Sequence, residues 1–227
     1  MKNTLLLCFF AIGLFGVDAC NTEKPSVTNA EVQFEVENDS LQKYIVDIPD
    51  QAVEIEQNRQ IHSLEDAILK EDAEAVRYFL EVKKTDPNQK TSRQEPLLVL
   101  ATRRGFADAV SQLLAAGANV NEKDSQGHTA LRSLAQEDYY WSDKVDYDTV
   151  LSMLLRAKAN VNAQDNQGQT ALMVFSYTGD NDAVEKLLAG GADTNIKDNQ
   201  GNTALKLAQQ ARKQKTIELL RKAGTIQ

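Results

Sequence analysis

Apolar residues along this chain fall into repeating blocks rather than one continuous run. Three blocks open almost identically: DSQGHTAL at 124–131, DNQGQTAL at 165–172 and DNQGNTAL at 198–205. Apolar pairs recur further along, at Leu113–Leu114, Leu154–Leu155, Leu187–Leu188 and Leu219–Leu220. Aligning the alanines gives five units. They begin near HSLEDAILKEDAEAVRYFL (62–80), PLLVLATRRGFADAVSQLL (96–114), TALRSLAQ (129–136), TALMVFSYTGDNDAVEKLL (170–188) and TALKLAQQARKQKTIELL (203–220). Ala67 to Ala101 is 34 residues, and Asp165 to Asp198 is 33. A period of that size marks a solenoid, in which each unit buries its apolar face against its neighbours.

Each unit reads as two short helices behind a tight turn. The Asp of DNQG opens the turn, and Gly168 or Gly201 supplies the positive φ that other residues resist. Thr129, Thr170 and Thr203 stand where a side-chain oxygen caps the first helix. The Ala and Leu that follow allow close helix packing. Gly117, Gly191 and Gly224 come just after the second helix, where a left-handed residue ends it. ANVN (118–121), ANVN (159–162) or ADTN (192–195) then leads onward.

This pattern resembles the ankyrin repeat, which reads T-P-L-H-x-A, then G-A-D-V-N, then D-x-x-G. The resemblance covers about 61–227 and is most specific in the last three units. It implies an all-α solenoid of about five helix–turn–helix repeats with short β-hairpin connections, at about 61–94, 95–127, 128–168, 169–201 and 202–227. Some positions depart from it. Val99, Arg132, Met173 and Lys206 stand where the family has His, the first unit lacks the D-x-x-G turn, and TDPNQKTSRQEP (85–96) loses the regular hairpin signature. The last helix is basic (Arg212, Lys213, Lys215, Arg221, Lys222), as a solvated end cap would be. The resemblance further implies a protein-binding role without catalysis. Its contact surface is the row of hairpin tips: Lys123, Ser125, Gln126 and His128, then Asn166, Gln167 and Gln169, then Asn199, Gln200 and Asn202. The alternative is that these residue types simply suit turns.

One interval breaks the period. Asp124 to Asp165 is 41 residues, eight too many, and the excess falls between the two helices of the third unit. This stretch, with DYYWSDKV at 138–145, holds Tyr139, Tyr140, Tyr147 and the sole tryptophan, Trp141. Around them Glu137, Asp138, Asp143, Asp146 and Asp148 face Lys144 alone. Aromatic residues of this kind dominate interface hot spots, and the acidity fits a protein partner with a basic surface. The competing reading lengthens the helices and packs the aromatics onto a neighbouring unit.

Composition narrows the remaining classes. The formal charge is −8, so free nucleic acid is not an expected partner. Residues 21–60 carry nine acids against Lys24, Lys43 and Arg59, a net of −6, and read as an acidic tether. Within it, EVQFEVEN (31–38) alternates, and YIVDIP (44–49) and AVEIEQ (52–57) fit short strands or an extended clamp. Residues 1–19 read as a signal peptide, with Lys2 ahead of an apolar run from Leu5 to Val17. VDAC then resembles a bacterial lipobox with Cys20 as the lipidated residue, although Val17 and Asp18 depart from its usual pattern. An ordinary secretory signal is the alternative. The resulting expectation is an exported protein, on the periplasmic side of a membrane and attached only through its N-terminal lipid, monomeric apart from its partner. No cofactor or metal is expected: His62 and His128 lie in different units, and DKVDYD (143–148) lacks the spacing of a calcium loop. Within the protein-binding class the readings are an immunity-type inhibitor of a toxic effector, a scaffold for a periplasmic enzyme, and a secreted effector.

Overall fold

The computed structural model describes residues 60–135 and 144–224, with the backbone alone for 144–146. The expected signal peptide, the tether up to residue 59, Cys20, Tyr139, Tyr140, Trp141, Asp143 and the side chain of Asp146 lie outside the described residues.

Among the described residues, five helix pairs follow one another. They are α1 (Leu64–Leu69) with α2 (Ala73–Arg77), α3 (Leu97–Arg103) with α4 (Ala107–Ala115), α5 (Ala130–Leu134) with α6 (Lys144–Arg156), α7 (Ala171–Thr178) with α8 (Asn181–Ala189), and α9 (Ala204–Gln210) with α10 (Gln214–Gly224). First helices stack on first helices from α1 through α3, α5 and α7 to α9. Second helices form the other layer, with α4 against α2 and α6, and α10 against α8. Leu97, Ala101, Leu113, Leu131, Leu134, Leu154, Leu172, Leu187 and Ala208 fill the space between the layers. The small alanines let the first helices approach closely.

The caps follow the sequence. Thr129, Thr170 and Thr203 accept from the backbone N–H of Arg132, Met173 and Lys206. Asp72 and Asp180 do the same for the second helices at Ala75 and Ala183. Gly117 and Gly191 sit at φ 92° and 87°, as expected. Gly224 does not: it is the last residue of α10 and lies outside the left-handed region. In the third unit, Lys158 occupies the place of Gly117 and Gly191 at φ 62°.

The two N-terminal units keep the geometry under a different sequence. Thr91 takes the role of the turn Asp, its hydroxyl accepting from the N–H groups of Arg93 (3.2 Å) and Glu95 (3.1 Å). Gln94 fills the glycine position at φ 63°, and Gln60 does so for the first unit at φ 52°. The hairpin signature is lost from 85–96, but the turn is present. The second helix of the first unit holds one residue more than its counterparts. α2 absorbs it by widening into a π-turn over Tyr78–Val82, closed by Lys83 N–H on the Tyr78 carbonyl at 3.1 Å. The widened turn buries three consecutive side chains, Tyr78, Phe79 and Leu80.

The expected β-hairpins are turns without strand ladders. Among the described residues the single β-bridge joins Lys90 to Pro96. In the other turns the Asp N–H donates to the carbonyl four residues on, His128 (3.0 Å), Gln169 (2.9 Å) or Asn202 (2.9 Å), and the glycine N–H donates back to the Asp carbonyl, at 3.0 Å for Gly127 and 2.9 Å for Gly168 and Gly201. Three residues between donor and acceptor leave no room for a ladder.

Candidate functional site: the hairpin row and the third-unit insertion

The hairpins that open units 3, 4 and 5 are each built around one carboxylate. Asp124 Oδ1 accepts from Gln126 N–H and His128 N–H, both at 2.8 Å. Asp165 Oδ1 accepts from Gln167 (2.9 Å) and Gln169 (2.8 Å), and Asp198 Oδ1 from Gln200 (2.9 Å) and Asn202 (2.7 Å). Burial pushes the Asp198 carboxyl up, but the Asn202 backbone and side-chain donors, the Gln200 N–H and the Lys206 charge outweigh it, so its pKa lies below the usual value. Gly127 and Gly168 let the next hairpin close in. Asn166 N–H donates to the Gln126 carbonyl (3.0 Å) and Asn199 N–H to that of Gln167 (2.9 Å).

This geometry divides the expected contact residues. Lys123, Ser125, Gln126, Asn166, Gln167, Asn199 and Gln200 are exposed and form a continuous row of tips. Asn166 and Asn199 also spend their side-chain amides on the carbonyls of Ser125 and Asn166, both at 3.0 Å, so they knit the row as well as line it. Lys123 Nζ reaches the Gln164 carbonyl at 2.8 Å. His128 and Asn202 are buried beneath the tips, and Gln169 is half-buried.

Beneath the row, between units 3 and 4, lies a buried charged cluster. Arg132, standing where the family has His, places Nε 2.9 Å from Asp165 Oδ2 and donates from Nη2 to Gln169 Oε1 at 3.1 Å. His128 sits between two carboxylates, Nδ1 3.4 Å from Asp124 Oδ2 and Nε2 3.7 Å from Asp165 Oδ2. Burial holds its pKa below the usual imidazole value, and the Arg132 charge pushes in the same direction against both acids. The signal for this cluster was present in the sequence, in Arg132 at the His position and His128 four residues earlier, but spacing alone does not reveal burial.

Two members of the insertion region are described. Tyr147 packs edge-on against Phe175 of α7, with ring centroids 5.9 Å apart at 86°. Burial pushes its phenol well above the ordinary range, and the neighbouring Asp180 carboxylate adds to this. Asp148 is exposed and pairs with Lys186 of α8 at 2.8 Å. Here the packing reading applies: Tyr147 is wedged into the next unit. A groove of about 330 Å³ opens beside this pair, lined by Asp148, Thr149, Ser152, Met153, Arg156 and Lys186. Tyr177, at the end of α7, is 49% exposed, an aromatic surface residue that the repeat pattern did not single out.

Taken together, stacked helix pairs, capped turns and a row of exposed tips define an all-α repeat solenoid. The comparisons give it a family. Residues 64–147 match the family model for ankyrin repeats (3 copies), and residues 154–208 match that for ankyrin repeats (many copies). The chain is an ankyrin-repeat protein, and arrays of this family are protein-interaction modules. No curated protein matches it.

Proposed function

We propose that this protein is a cell-envelope binding module, exported by residues 1–19, tethered through a lipidated Cys20, and acting as an immunity-type inhibitor of a toxic effector enzyme. Its recognition element in this reading is the acidic aromatic insertion, which occupies a basic cleft of the effector. The observation that carries the proposal is the state of the array on either side of the insertion. Before it, α5 stacks on α3 and α7. After it, Val150, Leu151 and Leu154 are fully buried, in the places that Ala183, Val184 and Leu187 hold in the next unit. The repeat register resumes beyond the extra residues, so the array does not need the composition of 138–143, although Tyr147 packs on the next unit. Tyr and Trp bury large areas at small entropic cost, and acidic neighbours speed capture by a basic surface.

A second reading, a scaffold for a periplasmic enzyme, draws on the exposed tip row and needs no insertion. Affinity capture from whole-envelope extract separates the two. The bait is the protein beside a variant lacking 138–145, the eight residues that turn a 33-residue interval into 41. The inhibitor reading expects one partner lost with the deletion. A partner held equally by both baits overturns it and moves recognition to the tips. A target found only in material from another organism points to a secreted effector.

A further inference from the structure

Unit 5 reverses the charge of the units before it. Between Thr203 and Gly224 it carries Lys206, Arg212, Lys213, Lys215, Arg221 and Lys222 against Glu218 alone, a net of +5 in a chain whose total is −8. The change falls at positions that are acidic or apolar elsewhere in the array. Second helices of units 1, 2 and 4 each place an acid in the first turn, Glu74, Asp108 and Asp182, whereas unit 5 places Lys215 there. Asp72 and Asp180 cap α2 and α8. Lys213 takes that place in unit 5, since Ile217 N–H bonds to its carbonyl as Val184 N–H does to that of Asp180. The same register sets Arg221, exposed, where Leu188 is half-buried in unit 4. Lys206 is likewise exposed where Met173 of unit 4 is buried.

We propose that the exposed basic side of unit 5 is a contact surface for an anionic lipid bilayer.

A solvated end cap accounts for polar residues here, but not for their sign. Cations in the first turn of α10 oppose the helix dipole, and Lys213 gives up a cap that Asp supplies elsewhere. Acids would keep this end soluble and favour the helix at once. The cations therefore answer a requirement outside the fold. Their arrangement suits a surface. Thr216, Ile217 and Leu220 turn one side of α10 into the array, and Lys215, Arg221 and Lys222 are exposed on the other. Among the described residues Arg212, Lys215 and Arg221 form no ion pair, so their charge is not spent within the array. A specific protein site is usually anchored by exposed aromatic or large apolar side chains. Leu69, Val82 and Tyr177 are such residues, and all three belong to other units. Charge without an anchor fits a fluid layer of anionic headgroups, which asks only for clustered Lys and Arg. This contact needs neither export nor lipid on Cys20, so it stands or falls apart from the proposed inhibitor role.

The full chain is mixed with vesicles of neutral phosphatidylcholine, and with vesicles in which about 30% of the lipid is phosphatidylglycerol; sedimentation reads the bound protein. Whatever the apolar run from Leu5 to Val17 contributes is common to both. The expected result is tighter binding to the anionic vesicles, with the difference removed at about 0.5 M salt. Each cation near such a surface gives about fivefold in affinity, so Arg212→Gln, Lys215→Gln and Arg221→Gln together should reduce the anionic preference about 100-fold. A control with Arg77→Gln, Lys84→Gln and Arg156→Gln removes three exposed cations of units 1 and 3 and should leave the preference intact. Arg212→Lys with Arg221→Lys keeps the charge and should bind as the wild type does. Equal binding to the two vesicles overturns the proposal, as does a preference that survives the unit 5 variant or falls equally in the control. An acidic protein held through these cations, without any preference for anionic vesicles, overturns it too. Should the triple variant fail to fold, Lys215→Gln alone decides, with about a fivefold loss expected.

Discussion

Gly168 and Gly201 occupy the same place in successive hairpins, at φ 77° and 75°, yet alanine should affect them very differently. Both substitutions force an L-residue into the left-handed region, about 1–2 kcal/mol, partly offset by about 0.4–1 kcal/mol from a stiffer unfolded chain. At Gly201 that is all, because an added Cβ meets nothing within 4 Å. The net effect there is a loss of about 1 kcal/mol. At Gly168 the new Cβ would lie 2.6 Å from Asn199 Oδ1, 2.9 Å from Asn199 N and 3.1 Å from Asp198 Cα. Two of these atoms are backbone, so the next hairpin must move away. It then surrenders the bond from Asn199 N–H to Gln167 and that from its side chain to Asn166, at about 1 kcal/mol each. Gly168→Ala should therefore destabilise by about 3 kcal/mol, some 2 more than Gly201→Ala, or a factor of about 30 in the unfolding constant.

Urea unfolding followed by helical circular dichroism reads the difference, and hydrogen exchange at Asn199 locates it. Gly127→Ala provides an independent repeat, since its Cβ would meet Asn166 Oδ1 at 2.6 Å and Asn166 N at 2.8 Å. If Gly201→Ala proves as damaging as the other two, inter-hairpin approach is not what requires the glycine, and the account of how the tip row is assembled fails.

Three further outcomes follow from the same geometry. Lys158→Gly and Gln94→Gly relieve left-handed strain at φ 62° and 63° and should each stabilise the fold by about 1 kcal/mol, read as a higher urea midpoint at unchanged slope. Tyr147→Ala should destabilise by about 2–4 kcal/mol through loss of the ring wedged against Phe175, whereas Asp148→Ala should change stability by less than about 1 kcal/mol, since its pair with Lys186 is exposed; a thermal melt of each variant tests the contrast. Because the folded pKa of Asp198 is depressed, its stabilisation is present above the ordinary carboxyl value of 3.8 and is lost as pH falls through the folded pKa. Asp198→Asn should therefore flatten the steepest part of the acid limb, and a limb of unchanged shape would refute the assignment.

The sequence disclosed the period, the caps and the glycine turns because each is a local requirement written in one or two residues. Thr170 must bring an oxygen to Met173 N–H, and Gly168 must reach a positive φ; few residue types do either. Where a different residue can meet the same requirement, the signal faded. Thr91 replaces the turn Asp with a hydroxyl, and Gln60, Gln94 and Lys158 accept a left-handed backbone without being glycine. The π-turn at Tyr78–Val82 was hidden for a related reason, since one extra residue shifts no motif. What spacing could not supply was depth. His128 and Gln126 are two residues apart in one hairpin, yet Gln126 is exposed at the tip and His128 is 6% exposed beneath it. Burial at that point depends on the next hairpin arriving from 41 residues away.

Placement within the unit gives the two candidate surfaces separate lives. A hairpin precedes each first helix, so the tips lie at its N-terminal end, and the insertion departs from its C-terminal end after Ala135. In unit 3 the helix between them is α5, whose 5 residues set these ends roughly 7.5 Å apart at 1.5 Å per residue. A partner gripping only the insertion leaves the tips of units 4 and 5 free, while one lying along the tips crosses the joint that His128 and Arg132 hold. A variant carrying Gln126→Ala and Gln167→Ala should weaken only a partner that lies along the tips, and deletion of 138–145 only one that grips the insertion. Loss of affinity in both variants would show a partner that reaches both ends of unit 3.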